Sequence, residues 1–344
     1  MTMPTMVSIL DRAHARQGVD ASTTLRDTVR LAQEAELLGY HRFWLAEHHG
    51  VPGILGSAPT VLAAAVAEAT AVIRVGTGGV MLPGHRPMVV AEQFGVLDAL
   101  FPGRIDMGVG RSLGFTPTVR KALGQQDADF EQFGRQLGEL LGWLTGTQSG
   151  YPGVAAYPSP GQGVQPFVLA LDQAAGIASA AGLPLVIGAG RDRAKLADTV
   201  VQYRDAFQPS PWRPEPHVIL AASVAIADTP QAAERMLHSE AWSIAHSRTG
   251  GAFLPLMPAE RIASLLMTSR QRDYFQQALQ GFITGADEQV AEQLSQAVTD
   301  TGADEILVTT NTHDLAERAN SYQRLARLAA LTPRPPQPAA GRQP

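Results

Sequence analysis

The sequence predicts an α/β fold and, within that class, a (β/α)8 barrel of the TIM type with an insertion between strands seven and eight. Short apolar runs alternate with longer amphipathic runs along the 344 residues. This alternation is typical of parallel strands joined by right-handed helical crossovers. Eight such units can be counted, which is the number that a closed barrel needs. A doubly wound open sheet shares the alternation and is the alternative.

The predicted strands are short and apolar, and each is followed by a segment of helical periodicity. The strands are 6–10, 41–46, 73–81, 104–109, 166–171, 184–187, 217–227 and 305–310. The helices are 23–38, 59–69, 87–99, a long helix ending near 144, 174–181, 192–207, 231–246 and 315–331. Gly39 can end the first helix, and Ser57 is the expected N-cap of the second.

Extra length lies between strands seven and eight. Residues 247–256 form a Gly- and Pro-containing loop, and 259–279 have a helical pattern. We expect this insertion, about 247–286, to lie outside the barrel strands and over their C-terminal ends, where substrate loops are found. The Pro-rich tail, 332–344, has too little apolar surface to fold. Residues 1–331 are therefore predicted to form one domain, followed by a disordered tail.

The composition excludes several classes of function. Hydrophobic residues make up 45% of the chain and charged residues 17%, so a large core is expected. The net charge is −5 without a basic run, which argues against a nucleic-acid partner. Cysteine is absent, which excludes disulfides, thiolate metal sites and a cysteine nucleophile. No signal peptide or membrane-spanning stretch is recognised, so a cytoplasmic location without membrane contact is expected.

Candidate site residues follow the second predicted strand. Glu47, His48 and His49 are consecutive there, and a barrel places them at the rim. A metal site is one interpretation, but side chains of neighbours on an extended segment diverge, and neither HxH nor HExxH spacing is present. We therefore expect no metal. One inward histidine acting as an acid, a base or a hydrogen-bond donor is favoured, with satisfied rim histidines as the alternative.

Glycine-rich segments end the third and fourth predicted strands. Gly76-Thr-Gly-Gly79 lets the backbone approach a flat ligand, although a β-bulge or a barrel corner would need the same residues. Gly108-Val-Gly-Arg111 is a candidate phosphate clamp, although rim arginines also pair with carboxylates. Gly188-Ala-Gly-Arg191 lacks the spacing of a Rossmann site.

In combination these motifs resemble the bacterial luciferase-like flavin monooxygenase family, the LLM class of oxidoreductases. The resemblance rests on segments 44–50, 57–59, 74–83, 90–94 and 101–111, in this order. It is dense over 6–111 and looser over 217–243 and 303–328.

The resemblance implies the barrel fold, a small organic substrate, O2 as co-substrate and reduced FMN supplied by a separate flavin reductase. Oxygenation would proceed through a C4a-peroxyflavin. A homodimer, or a heterodimer with a related barrel, is also implied. His48 would be the catalytic residue near the flavin ring. The residues implied to bind the cofactor are Ala46, Gly78, Gly79, Gly110 and Arg111, and the Gly78–Gly79 peptide is often cis in this family.

The sequence departs from the family after strands five and six. Where the family has small polar residues that hold the FMN phosphate, this chain has Val168-Leu-Ala-Leu-Asp-Gln-Ala-Ala175 and then Leu185-Val-Ile-Gly-Ala189. An apolar surface beside Asp172 would not hold a phosphate, so weak FMN binding is expected. Two alternatives follow: a non-catalytic homologue that serves a partner subunit, or a barrel using another reduced cofactor such as a deazaflavin.

Overall fold

Eight parallel strands close into a barrel in the computed structural model, which describes residues 6–125, 130–158, 163–170, 174–189 and 192–335. The barrel strands are β1 (Val7–Asp11), β2 (Arg42–Leu45), β3 (Arg74–Met81), β4 (Ile105–Gly110), β5 (Gln165–Leu169), β6 (Leu185–Gly188), β7 (Val218–Ile226) and β9 (Glu305–Thr309). Neighbours follow chain order, and pairing of β9 with both β7 and β1 closes the ring. The predicted (β/α)8 barrel is confirmed, and the open sheet is excluded.

Helices surround the barrel. They are α1 (Ala21–Leu37), α2 (Pro59–Ala69), α3 (Pro87–Leu100), α4 (Pro117–Ala122), α5 (Phe130–Thr145), α6 (Ala174–Ala180), α7 (Arg193–Asp205), α8 (Pro230–Met236), α9 (His238–Gly250), α10 (Ala259–Ala263), α11 (Ser269–Gln280), α12 (Asp287–Thr301) and α13 (Leu315–Leu328). Their apolar faces and the outer faces of the strands form the main core. No helix within the described ranges has the length and apolar character that crossing a bilayer requires.

Several helix boundaries differ from the prediction. Residues 231–246 were expected as one helix, but α8 and α9 meet at Leu237, which caps the first and precedes the second. Residues 259–279 divide into α10 and α11, because Thr268 begins α11 with a capping box. The N-cap of α2 is Ala58 rather than Ser57, and its side chain makes no capping bond; Pro59 starts the helix instead. Periodicity alone does not show such breaks.

The insertion reaches the C-terminal end of the barrel, which we call the mouth, through one loop. The amide of Gly53 donates to the carbonyl of Phe253 at 2.8 Å, and the amide of Leu256 donates to the carbonyl of Ala15 at 2.8 Å. This loop therefore contacts the segments that follow β1 and β2. Within the insertion, β8 (Ile283–Gly285) pairs in parallel with the end of β7, but it is not one of the eight strands that close the ring. Helix α11 packs against α9 instead of covering the mouth.

The predicted tail is partly ordered. The amide of Arg334 donates to the carbonyl of Leu37 at 3.0 Å. The backbone of Thr332 lies so close to Gly39 that a Cβ on Gly39 would stand 2.3 Å from its carbonyl oxygen. The start of this segment is therefore held against the end of α1. Residues 336–344 lie outside the described residues.

Inside the barrel an apolar layer lies above a charged layer. The apolar layer includes Trp44 and Phe167, whose rings meet edge to face at 4.8 Å. Near the N-terminal ends of the strands, the buried guanidinium of Arg42 donates to Glu305 at 2.8 and 3.0 Å and to Asp106 at 2.7 Å. These three charges come from β2, β9 and β4, so they link strands that are distant in the sequence.

Candidate active site

A cavity of about 600 Å³ opens at the mouth. The C-terminal ends of β1 to β7 line it, with mainly apolar side chains and a few polar groups. This composition and volume are those of small-molecule sites, which span roughly 300–1,000 Å³. A candidate site residue that can contact a small molecule is therefore expected among the residues that line this cavity.

The structure brings four of the six predicted site residues into the cavity lining: Ala46, His48, Gly78 and Arg111. Gly110, the last residue of β4, does not line the cavity. Gly79 also lies outside the lining, contrary to our expectation. A Cβ there would meet the carbonyl oxygen of Gly108 at 2.7 Å, so Gly79 faces β4. The Gly78–Gly79 peptide is cis, as the resemblance implied.

His48 is neutral at physiological pH. Burial and the nearby charge of Arg12 lower the pKa of His48 to about 4. Its buried Nδ1 atom has no hydrogen-bond partner among the described residues, and the ring of Phe253 lies edge-on to the imidazole at 6.4 Å. His48 itself lines the cavity, and an imidazole there can hydrogen-bond to a bound molecule.

His49 diverges from His48 and belongs to a separate cluster. Its Nε2 atom lies 2.5 Å from Oε1 of Glu47, and Nε2 of His85 lies 2.7 Å from the same oxygen. The amide of Met81 donates to Oε2 of Glu47 at 2.9 Å. Burial alone would raise the pKa of Glu47, but these hydrogen bonds lower it to about 2. The ionised carboxylate thus holds the end of β2 against the end of β3.

Glu47, His49 and His85 also form a ligand set that a metal ion could use, since their donor atoms lie within 4.8 Å of one another. The hydrogen bonds already account for this arrangement. Our expectation of no metal remains a prediction. Sequence reasoning missed His85, because 38 residues separate it from Glu47.

A second feature that the sequence did not indicate is a partly buried ion pair at the mouth. The guanidinium of Arg12, which follows β1 and lines the cavity, donates to Oε1 of Glu240 at 3.0 Å. Glu240 belongs to α9 and is buried, and the side-chain amide of Asn311 donates to the same oxygen at 2.8 Å. Arg12 and Glu240 are 228 positions apart in the sequence, so no local sequence pattern predicts their contact.

The ends of β5 and β6 give the cavity an apolar wall. Leu169, Ala170, Val186 and Ile187 line it there. None of these side chains offers a hydrogen bond to a phosphate, which agrees with the departure seen in the sequence. Asp172, to which we attributed repulsion, lies outside the described residues, as do residues 171 and 190–191.

Comparison with known proteins identifies the family. The family described as luciferase-like monooxygenase matches residues 4–305. The chain belongs to the luciferase-like monooxygenase family. It is 33% identical over 329 residues to N-acetyl-S-alkylcysteine monooxygenase of Bacillus subtilis (strain 168), covering 93% of this chain and 97% of that protein. The family recognised from the motifs is confirmed, and the chain is an oxidoreductase of the monooxygenase type.

Solved structures share the fold over nearly the whole chain. The crystal structure of apo-MsnO8 is similar with a TM-score of 0.83 and 31% identity, covering 96% of this chain and 99% of that one. The oxygenating constituent of 3,6-diketocamphane monooxygenase from the CAM plasmid of Pseudomonas putida, solved in complex with FMN, has a TM-score of 0.70 and 18% identity, covering 96% and 98%. At that identity the second likeness shows the fold alone.

Proposed function

We propose that the chain uses reduced FMN and O2 to oxygenate a small organic substrate. The observation that carries this proposal is the convergence of His48, Gly78 and Arg111 on one largely apolar cavity. Supply of reduced FMN by a separate reductase belongs to the proposal, as does assembly as a homodimer or as a heterodimer with a related barrel.

The residues that line the cavity suit the ring of a flavin better than they suit its phosphate group. Gly78 and Ala46 line the cavity without long side chains, and the imidazole of His48 lines it beside them. Arg111 and Ser112 stand at the end of β4, where a guanidinium can bind a phosphate. The described side chains at the ends of β5 and β6 are apolar and add no hydrogen bond, which supports an affinity for FMN below that of a site with a full phosphate cradle.

Reduced FMN would supply the two electrons that activate O2. His48 lines the cavity and stays neutral near pH 7, so its imidazole can donate or accept a proton next to the reacting group. Phe253 lies beside His48, and its ring centroid is 5.0 Å from that of Phe115. These two rings bring apolar surface to the mouth near His48, which restricts the access of water.

The test is an anaerobic titration of the purified chain, first with oxidised FMN and then with reduced FMN. We expect saturable binding of both forms. When air is admitted with substrate present, we expect oxygenated product and less H2O2 than free reduced FMN releases, since each reaction consumes one O2 per reduced FMN. Riboflavin serves as the matched ligand without phosphate, and a deazaflavin tests the alternative cofactor. Binding of the deazaflavin but not of FMN would contradict the proposal, and so would the absence of flavin binding.

A further inference from the structure

The mouth carries two arginines that lie apart. Arg111 follows β4, whereas Arg12 follows β1, three strands away around the barrel, and both line the same cavity. If Arg111 binds the flavin phosphate as proposed above, Arg12 is free of that role. A second guanidinium in a largely apolar cavity needs its own explanation, because exposing a charge to an apolar ligand is unfavourable.

Buried contacts hold Arg12 in place. Its NH1 atom donates to Oε1 of Glu240, which is 2% exposed, whereas the side chain of Arg12 is 29% exposed. Asn311 donates to the same Glu240 oxygen at 2.8 Å and to the hydroxyl of Thr309 at 2.9 Å. The guanidinium is thus anchored from the side of α9 and open on another side, which preorganises it for a ligand.

The ion pair leaves donors of Arg12 available. Among the described residues, Glu240 is the one hydrogen-bond partner of this guanidinium, although a guanidinium carries five N–H donors. Two histidines lie close enough to act on it electrostatically. Burial is the main cause that lowers the pKa of His14 and that of His48, and Arg12 lowers both further. Both imidazoles are neutral near pH 7, so Arg12 is a charged donor at the cavity whereas His14 and His48 are not.

We propose that the substrate is an amphipathic organic acid whose carboxylate binds to Arg12. The planar fork of a guanidinium matches a carboxylate, and Leu10, Val186 and Ala221 supply apolar lining for the rest of the molecule. This inference rests on the proposed function, since it assigns the flavin phosphate to Arg111. It adds the chemical class of the substrate and the residue that selects it.

Binding of octanoate, with octanamide as the neutral probe of the same size, tests the inference without turnover. In isothermal titration calorimetry of the purified full chain, the Kd of octanoate should be about 10- to 100-fold lower than the Kd of octanamide. This is the range expected for charge-assisted hydrogen bonds. Arg12→Gln should abolish that preference. Because this substitution leaves Glu240 buried without its cation, the double variant R12Q/E240Q is a second test that removes both charges, and circular dichroism checks its fold.

Arg111→Gln is the matched control at the other rim arginine. It should keep the preference for octanoate and lower the affinity for FMN relative to riboflavin. The inference is overturned if octanoate does not bind, if it binds no better than octanamide, or if R12Q retains the preference. It is also overturned if R12Q, rather than R111Q, removes the preference for FMN over riboflavin, because Arg12 would then hold the flavin phosphate.

These outcomes separate the inference from the proposed function. A preference for octanoate that depends on Arg12, without any flavin binding, would contradict the monooxygenase mechanism with FMN and leave Arg12 as a carboxylate site. Flavin binding with O2 consumption, but without the preference, would contradict only the substrate class.

Discussion

Replacing Glu305 by Gln tests how much the charged layer inside the barrel contributes to stability. Glu305 is fully buried and accepts hydrogen bonds from Arg42 at 2.8 and 3.0 Å and from Ser8 at 2.5 Å, and its Oε2 atom lies 3.3 Å from Nε2 of His217. Burial alone would raise the pKa of Glu305, but the charge of Arg42 and these hydrogen bonds lower it to about 2 from an ordinary value of 4.5. At 1.36 kcal/mol per pKa unit, the ionised carboxylate stabilises the fold by about 3 kcal/mol.

The pH dependence has a definite sign. Because the pKa of Glu305 is lower in the folded chain than in the unfolded chain, its contribution is complete above about pH 4.5 and is lost as the pH falls toward 2. Glu305→Gln should therefore lower the free energy of unfolding by about 3 kcal/mol at pH 7 and by about 1–2 kcal/mol near pH 3. Breaking a buried ion pair independently suggests about 3–5 kcal/mol at neutral pH.

Urea denaturation followed by circular dichroism at the two pH values measures both quantities. Exposed Glu215 provides the matched control, and Glu215→Gln should change the free energy of unfolding by less than about 0.5 kcal/mol at pH 7. A loss below about 1 kcal/mol for Glu305→Gln at pH 7 would refute the reasoning. A loss that is the same at both pH values would show that packing, rather than ionisation, accounts for the effect.

Four further predictions concern the site and the core. His48→Ala should lower the oxygenation rate by about 10²–10⁴-fold and His49→Ala much less, as measured by formation of the oxygenated product; equal losses would point to a paired or structural role. The imidazole of His48 is neutral, so the wild-type rate should show no ionisation of this group between about pH 6 and 8. Arg111→Gln should weaken FMN binding by about tenfold or more and leave riboflavin binding unchanged, as seen by fluorescence titration. Tyr40→Phe should cost about 1 kcal/mol in urea denaturation, because the Tyr40 hydroxyl donates to the carbonyl of Tyr322 at 2.8 Å in the core; no loss would mean that water replaces this bond.

Local pattern was sufficient to predict the barrel and part of the site. Strand and helix periodicity depends on neighbours in the chain, and parallel strands bring their C-terminal ends to one rim. The sequence could therefore predict that His48, Gly78, Gly79 and Arg111 converge on one cavity, of which the lining contains all but Gly79. Ala46 was expected there from the family resemblance, and it also lines the cavity. It could also predict that His48 and His49 diverge, because neighbours on an extended segment point to opposite sides.

The interior charges and the second rim arginine were decided by the tertiary structure. Arg12 meets Glu240 across 228 residues, and Arg42 meets Glu305 across 263. No local periodicity encodes such pairs, because they depend on the closure and strand register of the barrel and on where α9 packs. The same register sets Gly79 close against the backbone of Gly108 in β4. The physical reason is that a side chain's direction relative to a distant strand is fixed only when the ring has closed.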